Sequence, residues 1–168
     1  TDIIEQDKSS TFKCQDVQYK VLVGGKHFVY NSLVSIAVAS IYNIPNELVQ
    51  KGILDFELSS NRMNLINLDD SSIIIDDSYN ANYDSMSYAI KYLSNFDGRR
   101  IAVLGTMMEL GDFSKKLHED IGKIIYDENI DILITVGEDA KYINIMAEKL
   151  GFDKKNSFHF TNNKEAID

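Results

Sequence analysis

Three carboxylates, two amides and two phenols fall within the single stretch Asp76-Asp77-Ser78-Tyr79-Asn80-Ala81-Asn82-Tyr83-Asp84-Ser85-Met86. The apolar run Ile73 to Ile75 leads into it and a helical pattern leaves it, as in a strand-to-helix loop. Such loops lie beyond the carboxyl ends of strands, where α/β sheets hold their ligands. Asp76, Asn80 and Asn82 also have an internal use, because loop carboxylates and amides commonly satisfy turn backbone groups; Asp76 is assigned to the loop itself. A second candidate stretch, Thr106-Met107-Met108-Glu109-Leu110, follows the apolar run Ile101 to Leu104, again at a strand end.

The familiar autonomous sites are missing. Gly25-Lys26 is followed by His27, and Lys20 occupies the position of the leading glycine, so there is no phosphate-binding P-loop. Gly105 and Gly111 have the wrong spacing for one. No dinucleotide fingerprint, HExxH or paired CxxC occurs, and no metal site is expected. His27, His118 and His159 are far apart, and each is expected to be a capped or surface histidine. Cys14 lies in an alternating pattern and is expected to be a half-buried strand residue.

Regular elements must position these loops. From Ser72 onward, apolar runs at Ile73 to Ile75, Ile101 to Leu104, Ile130 to Val136 and Ser157 to Phe160 alternate with helical stretches. Those helices are expected over Asp84 to Asn95, Ser114 to Glu128, Glu138 to Leu150 and from Thr161. Met86, Ala89, Ile90 and Leu93 share one helical face, and Leu117, Ile121, Ile124 and Ile125 another. Ser114 stands where an N-cap is expected. Strands alternating with helices imply βαβ crossovers and a Rossmann-like α/β unit, its mainly parallel, four-stranded sheet covered on both faces.

The first seventy residues read as a hairpin (Thr11 to Cys14 and Gln18 to Val23, turning at Gln15-Asp16), two helices and a strand. Val29 to Ile41, apolar almost all round, is expected to be a buried helix. Pro45 should open a second helix over Asn46 to Leu54, and Met63 to Leu68 should form the strand. The expected division lies near Asp69 to Ser72, giving parts 1–70 and 71–168. Both ends look cut, so a fragment of a longer protein is expected.

The chain has 168 residues, 44% of them hydrophobic and 26% charged, an ordinary globular composition. A net charge of -9 argues against nucleic-acid binding, which needs a clustered basic face. No apolar run approaches the roughly 18 residues of a membrane span, and the start lacks a signal-peptide pattern. A cytoplasmic protein, expected to be a monomer, is the default.

Taken together, the motifs resemble those of the Mur ligases of cell-wall precursor synthesis. Gly25-Lys26-His27-Phe28-Val29-Tyr30-Asn31 is similar to the family's G-x-H-N-x-x-N entry into a buried helix. Asn61-Arg62-Met63 resembles the arginine before the linker strand. The loop DDSYNAN and the stretch Val103-Leu104-Gly105-Thr106-Met107-Met108-Glu109-Leu110-Gly111, which looks like VLGDMLELG, complete the match. The resemblance implies the α+β tail of a P-loop ATPase central domain over 1–70, then a Rossmann-like C-terminal domain over 71–168.

The resemblance also implies a reaction and roles. ATP phosphorylates the carboxylate of UDP-N-acetylmuramoyl-tripeptide, and the amine of D-alanyl-D-alanine displaces the phosphate. Mg2+ assists, with its ligands outside this chain. Asn31 would hydrogen-bond the adenine edge. Arg62 would reach the γ-phosphate, the one catalytic assignment. Asp77 would accept from the ribose hydroxyls, and Tyr79 would shape the nucleotide pocket. Asn80, Asn82, Met107 and Glu109 are implied substrate contacts, and closure about Asp69 to Asn82 would complete the site. Phe28, Tyr83 and Thr106 depart from the family's asparagine, proline and aspartate. With no P-loop lysine, residues 1–168 alone are expected to be inactive. Two alternatives stay open: a sibling ligase for another amino acid or folate, and a non-catalytic Rossmann-like module that binds a nucleotide or a partner.

Overall fold

Gln15 and Asp16 both adopt left-handed backbone angles, φ 47° and 64°. Two successive residues of that kind match the twist of an antiparallel pair, and they join β2 (Ser9–Cys14) to β3 (Val17–Val21). The computed structural model that shows this describes residues 3–6, 9–57 and 61–167, and divides into two compact units, Thr1–Ser59 and Ser60–Asp168.

In the first unit, β1 (Ile3–Gln6) extends the hairpin to an antiparallel sheet of order β1-β2-β3. Phe12 and Tyr19 face each other across the register with ring centroids 5.5 Å apart. With Val21, Phe28, Val29, Ile36 and Ile53 they form the core. The last four of these bring in α1 (Lys26–Ile41) and α2 (Asn46–Leu54), the latter opened by Pro45 as expected. The expected all-round burial of α1 does not hold. Phe28, Val29, Ser32, Ile36 and Ala39 are buried, while Val34 and Ile41 are 64% and 75% exposed. A single sheet can cover only one face of a helix.

The second unit starts with an antiparallel pair, β4 (Asn64–Asn67) and β5 (Ile73–Asp76), in the register Leu65↔Ile75. The Asp70 carboxylate accepts the Ser72 N–H at 2.9 Å in the turn between them, which holds that carboxyl below the usual carboxylate range. The division expected at 70/71 runs through this turn. Ile73 to Ile75 pair with β4 in a separate two-stranded sheet and do not join the parallel one. Among the described residues, that sheet has three strands, not the expected four.

Those strands are β6 (Ile101–Gly105), β7 (Ile132–Val136) and β8 (Ser157–Phe160), parallel and in that order. The helices are α3 (Tyr83–Ser94), α4 (Ser114–Asp127), α5 (Lys141–Leu150) and a short α6 (Asn163–Ile167). The crossovers between these parallel strands carry α4 and α5, whose buried residues share one core. Ala102 and Leu133 point into that core and are buried with Met86, Ile90, Ile121, Ile125, Ile143 and Ala147. Side chains of the sheet's other face, Ile101, Val103 and Phe158, remain exposed, so the expected covering of both faces is not observed. Asp131 accepts from Arg100 N at 2.7 Å and Nε at 3.2 Å, tying the starts of β6 and β7; these bonds, the backbone one first, keep its carboxyl below the usual range.

At the crossing of α4 and α5 the helices touch through Gly122. A Cβ there would lie 2.4 Å from the Ile143 carbonyl oxygen and 2.9 Å from Met146 Cβ. Backbone cannot yield as a flexible side chain can. Gly122→Ala should therefore destabilise the protein by about 1–3 kcal/mol through overpacking, read as a lower midpoint in urea denaturation. An unchanged midpoint would show that this crossing is not tight.

Candidate functional site

Two left-handed residues, Asn61 (φ 64°) and Met63 (φ 47°), flank Arg62. Non-glycine residues rarely hold such angles unless their surroundings enforce them, and here two bonds do so. The Tyr79 N–H donates to the Asn61 carbonyl at 3.0 Å, and the Met63 N–H donates to Asp77 Oδ1 at 3.1 Å. The tight turn is thus laced to the loop that leaves β5. Arg62 is carried over Tyr79, its guanidinium carbon 4.1 Å from the ring centroid. The ring is 63% exposed, so a cation and an aromatic plate stand together at the surface.

Three of the residues singled out from the sequence, Arg62, Asp77 and Tyr79, are therefore brought into one cluster. Asp76 is a loop residue, as expected: its Oδ1 accepts from Ser78 N at 3.2 Å and from Ser78 Oγ at 2.6 Å. Asn82 has structural work, since it caps α3 by accepting the Ser85 N–H at 2.9 Å while Ser85 Oγ answers the Asn82 N–H at 3.3 Å. Its side-chain oxygen caps the helix, and the residue is exposed. Asn80 is exposed beside the cluster.

The second loop stands at the carboxyl end of the parallel sheet. Thr106 N donates to the Val136 carbonyl at 3.1 Å, and Thr106 Oγ1 accepts from Ala140 N at 3.3 Å. Gly137 (φ 105°) admits this close approach: a Cβ there would sit 2.4 Å from Thr106 Oγ1. Met107 is 1% exposed and packs in the core. Met108 instead is 72% exposed, and Glu109, with φ 63°, is exposed next to it. Ser114 is not the N-cap of α4, since Phe113 holds that place. Its hydroxyl donates to Asp139 Oδ2 at 2.6 Å.

His118 was not expected here. It is fully buried, its Nε2 accepts the Met107 N–H at 3.0 Å, and its Nδ1 faces the Ser114 carbonyl at 2.7 Å. The signal was present as spacing: His118, Ile121 and Ile125 share the buried face of α4.

In the first unit, Asn31 lines a largely apolar cleft of about 380 Å³ between α1 and α2, with Phe28, Ile44, Leu48 and Phe56. Its amide is a polar group at the edge of this apolar space. Among the described residues no three His, Cys, Asp or Glu side chains come together as a metal would require.

The family model described as Mur ligase, glutamate ligase domain, matches residues 61–168. The UDP-N-acetylmuramoyl-tripeptide--D-alanyl-D-alanine ligase of Buchnera aphidicola subsp. Baizongia pistaciae is 33% identical over 99% of this chain and 36% of its own length. The Bacillus subtilis protein of the same name is 30% identical over 99% of this chain and 37% of its own. A crystal structure of MurF from Acinetobacter baumannii superposes with a TM-score of 0.82 at 26% identity, covering 99% of this chain and 36% of that one. The chain thus spans just over a third of the length of the curated relatives it matches.

Asp77→Ala should release the Met63 amide and loosen the turn around Arg62. In two-dimensional NMR the Met63, Arg62 and Tyr79 amides should shift or broaden while those of β6 to β8 stay in place; an unmoved Met63 amide would contradict the lacing.

Proposed function

This chain belongs to the Mur ligase family, and we propose that its parent protein is an ATP-dependent ligase joining D-alanyl-D-alanine to UDP-N-acetylmuramoyl-tripeptide. The observation that carries this is the similarity to ligases of that name along 99% of the chain, well beyond the part that the family model covers. Residues 1–70 are proposed as the end of the ATP-binding domain and 71–168 as the following C-terminal domain.

In the proposed reaction, a carboxylate oxygen of the tripeptide attacks the γ-phosphorus of ATP, and ADP leaves. The amine nitrogen of the dipeptide then attacks the resulting acyl carbon, loses a proton and expels inorganic phosphate. Positioning and charge stabilisation do most of the work in such transfers. Arg62 is proposed to meet the γ-phosphate, where a guanidinium fork suits three oxygens; it stands over Tyr79 at the surface. Asp77 is proposed to accept from the ribose, its remaining lone pairs being available beside the Met63 bond. Tyr79 and the exposed Asn80 border the same cluster. In the first unit, the Asn31 amide is proposed to read the adenine edge, supported by the cleft that it lines. Glu109, exposed at the sheet's carboxyl edge, is proposed on the amine side.

The magnesium expected of such ligases finds no ligand cluster among the described residues, and no step here is routed through it. No helix among them is long and apolar enough to cross a membrane. A cytoplasmic monomer acting on nucleotide-linked precursors fits these proposals.

The test is phosphate release from ATP by the full-length protein with the tripeptide nucleotide, with and without D-alanyl-D-alanine. Release that requires the dipeptide is expected; release only with a different amine would make it a sibling ligase, and none would favour a binding module. Residues 1–168 alone are expected to show no ATP hydrolysis above background in the same assay. Sustained turnover by them would contradict the assignment of the catalytic machinery to the rest of the chain.

A further inference from the structure

We propose that His118 is a positioning residue for the amine substrate, a neutral clamp that fixes the loop after β6 so that Met108 and Glu109 are displayed at the carboxyl edge of the sheet. This rests on the ligase reading given above and adds to it the group that shapes the amine side.

The protonation state follows from the partners. Nδ1 faces the Ser114 carbonyl at 2.7 Å, an oxygen that can only accept, so the proton is on Nδ1. Nε2 faces the Met107 N–H at 3.0 Å, a group that can only donate, so Nε2 carries none. The Ser114 hydroxyl gives its own hydrogen to Asp139 Oδ2 at 2.6 Å, so towards Nδ1, 3.3 Å away, its oxygen can only accept. An imidazole with both nitrogens engaged in this way is neutral and rotationally locked.

The loop needs such a lock. Met107 is anchored by its backbone to His118 and by its side chain to the core. The next residue emerges to 72% exposure and the one after takes a left-handed φ of 63°. A carboxylate and a thioether are thereby thrust from a rigid base to the edge where α/β sheets bind ligands. A free amine is the chemical class that such an exposed carboxylate complements. Loosening the base should cost affinity for the amine and leave ATP handling alone.

The experiment compares His118→Phe, which fills the space without an acceptor, and His118→Gln, whose side-chain carbonyl can reach the Nε2 position, in the full-length ligase. Expected is a rise of tenfold or more in KM for D-alanyl-D-alanine for H118F, with KM for ATP within twofold of wild type, and recovery to within threefold for H118Q. Equal defects in the two variants, or KM values for ATP and amine rising together, would reduce His118 to a packing residue. An unaltered amine KM in H118F would overturn the clamp outright. Should H118F not fold, 15N NMR of the wild-type imidazole decides: a protonated Nδ1 with a bare Nε2, and a slowly exchanging Met107 amide, are expected, and a protonated Nε2 would overturn the proposal. Absence of any dipeptide-dependent phosphate release by the wild type would instead remove the ligase reading itself.

Discussion

A parallel strand that ends at a functional edge must leave the sheet without stranding its backbone N–H groups, since each buried, unpaired donor costs about 1–3 kcal/mol. Where β6 ends, two consecutive donors face this demand. Thr106 N finds the Val136 carbonyl of the neighbouring strand, and Met107 N, beyond the reach of any strand, finds His118. Thr106 then uses its hydroxyl to accept from Ala140 N at the start of α5. The Ser114 hydroxyl reaches Asp139, so the first turn of α4 is tied to the turn before α5. One packing problem, solved by side chains from α4 and from the loops after β6 and β7, therefore sets the shape of the carboxyl edge and everything displayed on it.

The turn at Arg62 follows the same logic with different groups. Two left-handed residues have to be held in place, and the loop leaving β5 supplies the Tyr79 N–H as donor at one end and the Asp77 carboxylate as acceptor at the other. The antiparallel pairing of β4 with β5 makes this possible, because it brings residues on either side of the hairpin to the same end. Arg62 and Asp77 thus become neighbours through sheet register, while Tyr79 joins them through the Asn61 carbonyl.

Much of this frame was legible in the sequence. The apolar faces of α3 and α4 stood out because a 3.6-residue period leaves a clear stripe, and the Gln15-Asp16 turn stood out between two strands. Other features depended on partners that no local pattern shows. β1 has only Ile3 and Ile4 to mark it and exists through pairing with β2. The run Ile73 to Ile75 reads equally well as a parallel or an antiparallel strand, and its partner β4 decides. Asn82 caps α3, and the signal for that cap was Ser85 three residues on. Met107 and Met108 look alike in sequence but differ in burial, 1% against 72% exposed, which no local pattern shows. His118 was masked by its residue type, since a histidine on an apolar face is readable only once its two partners are in place.

The central claim is that these two displayed clusters serve a nucleotide and an amine respectively. Hydrogen exchange of the full-length protein, recorded free, with a non-hydrolysable ATP analogue and with D-alanyl-D-alanine, tests it most directly. The account predicts that the nucleotide slows exchange at residues 61–63 and 77–80, and that the dipeptide slows it at 106–110. Slowing at neither segment, with both ligands bound, would contradict it.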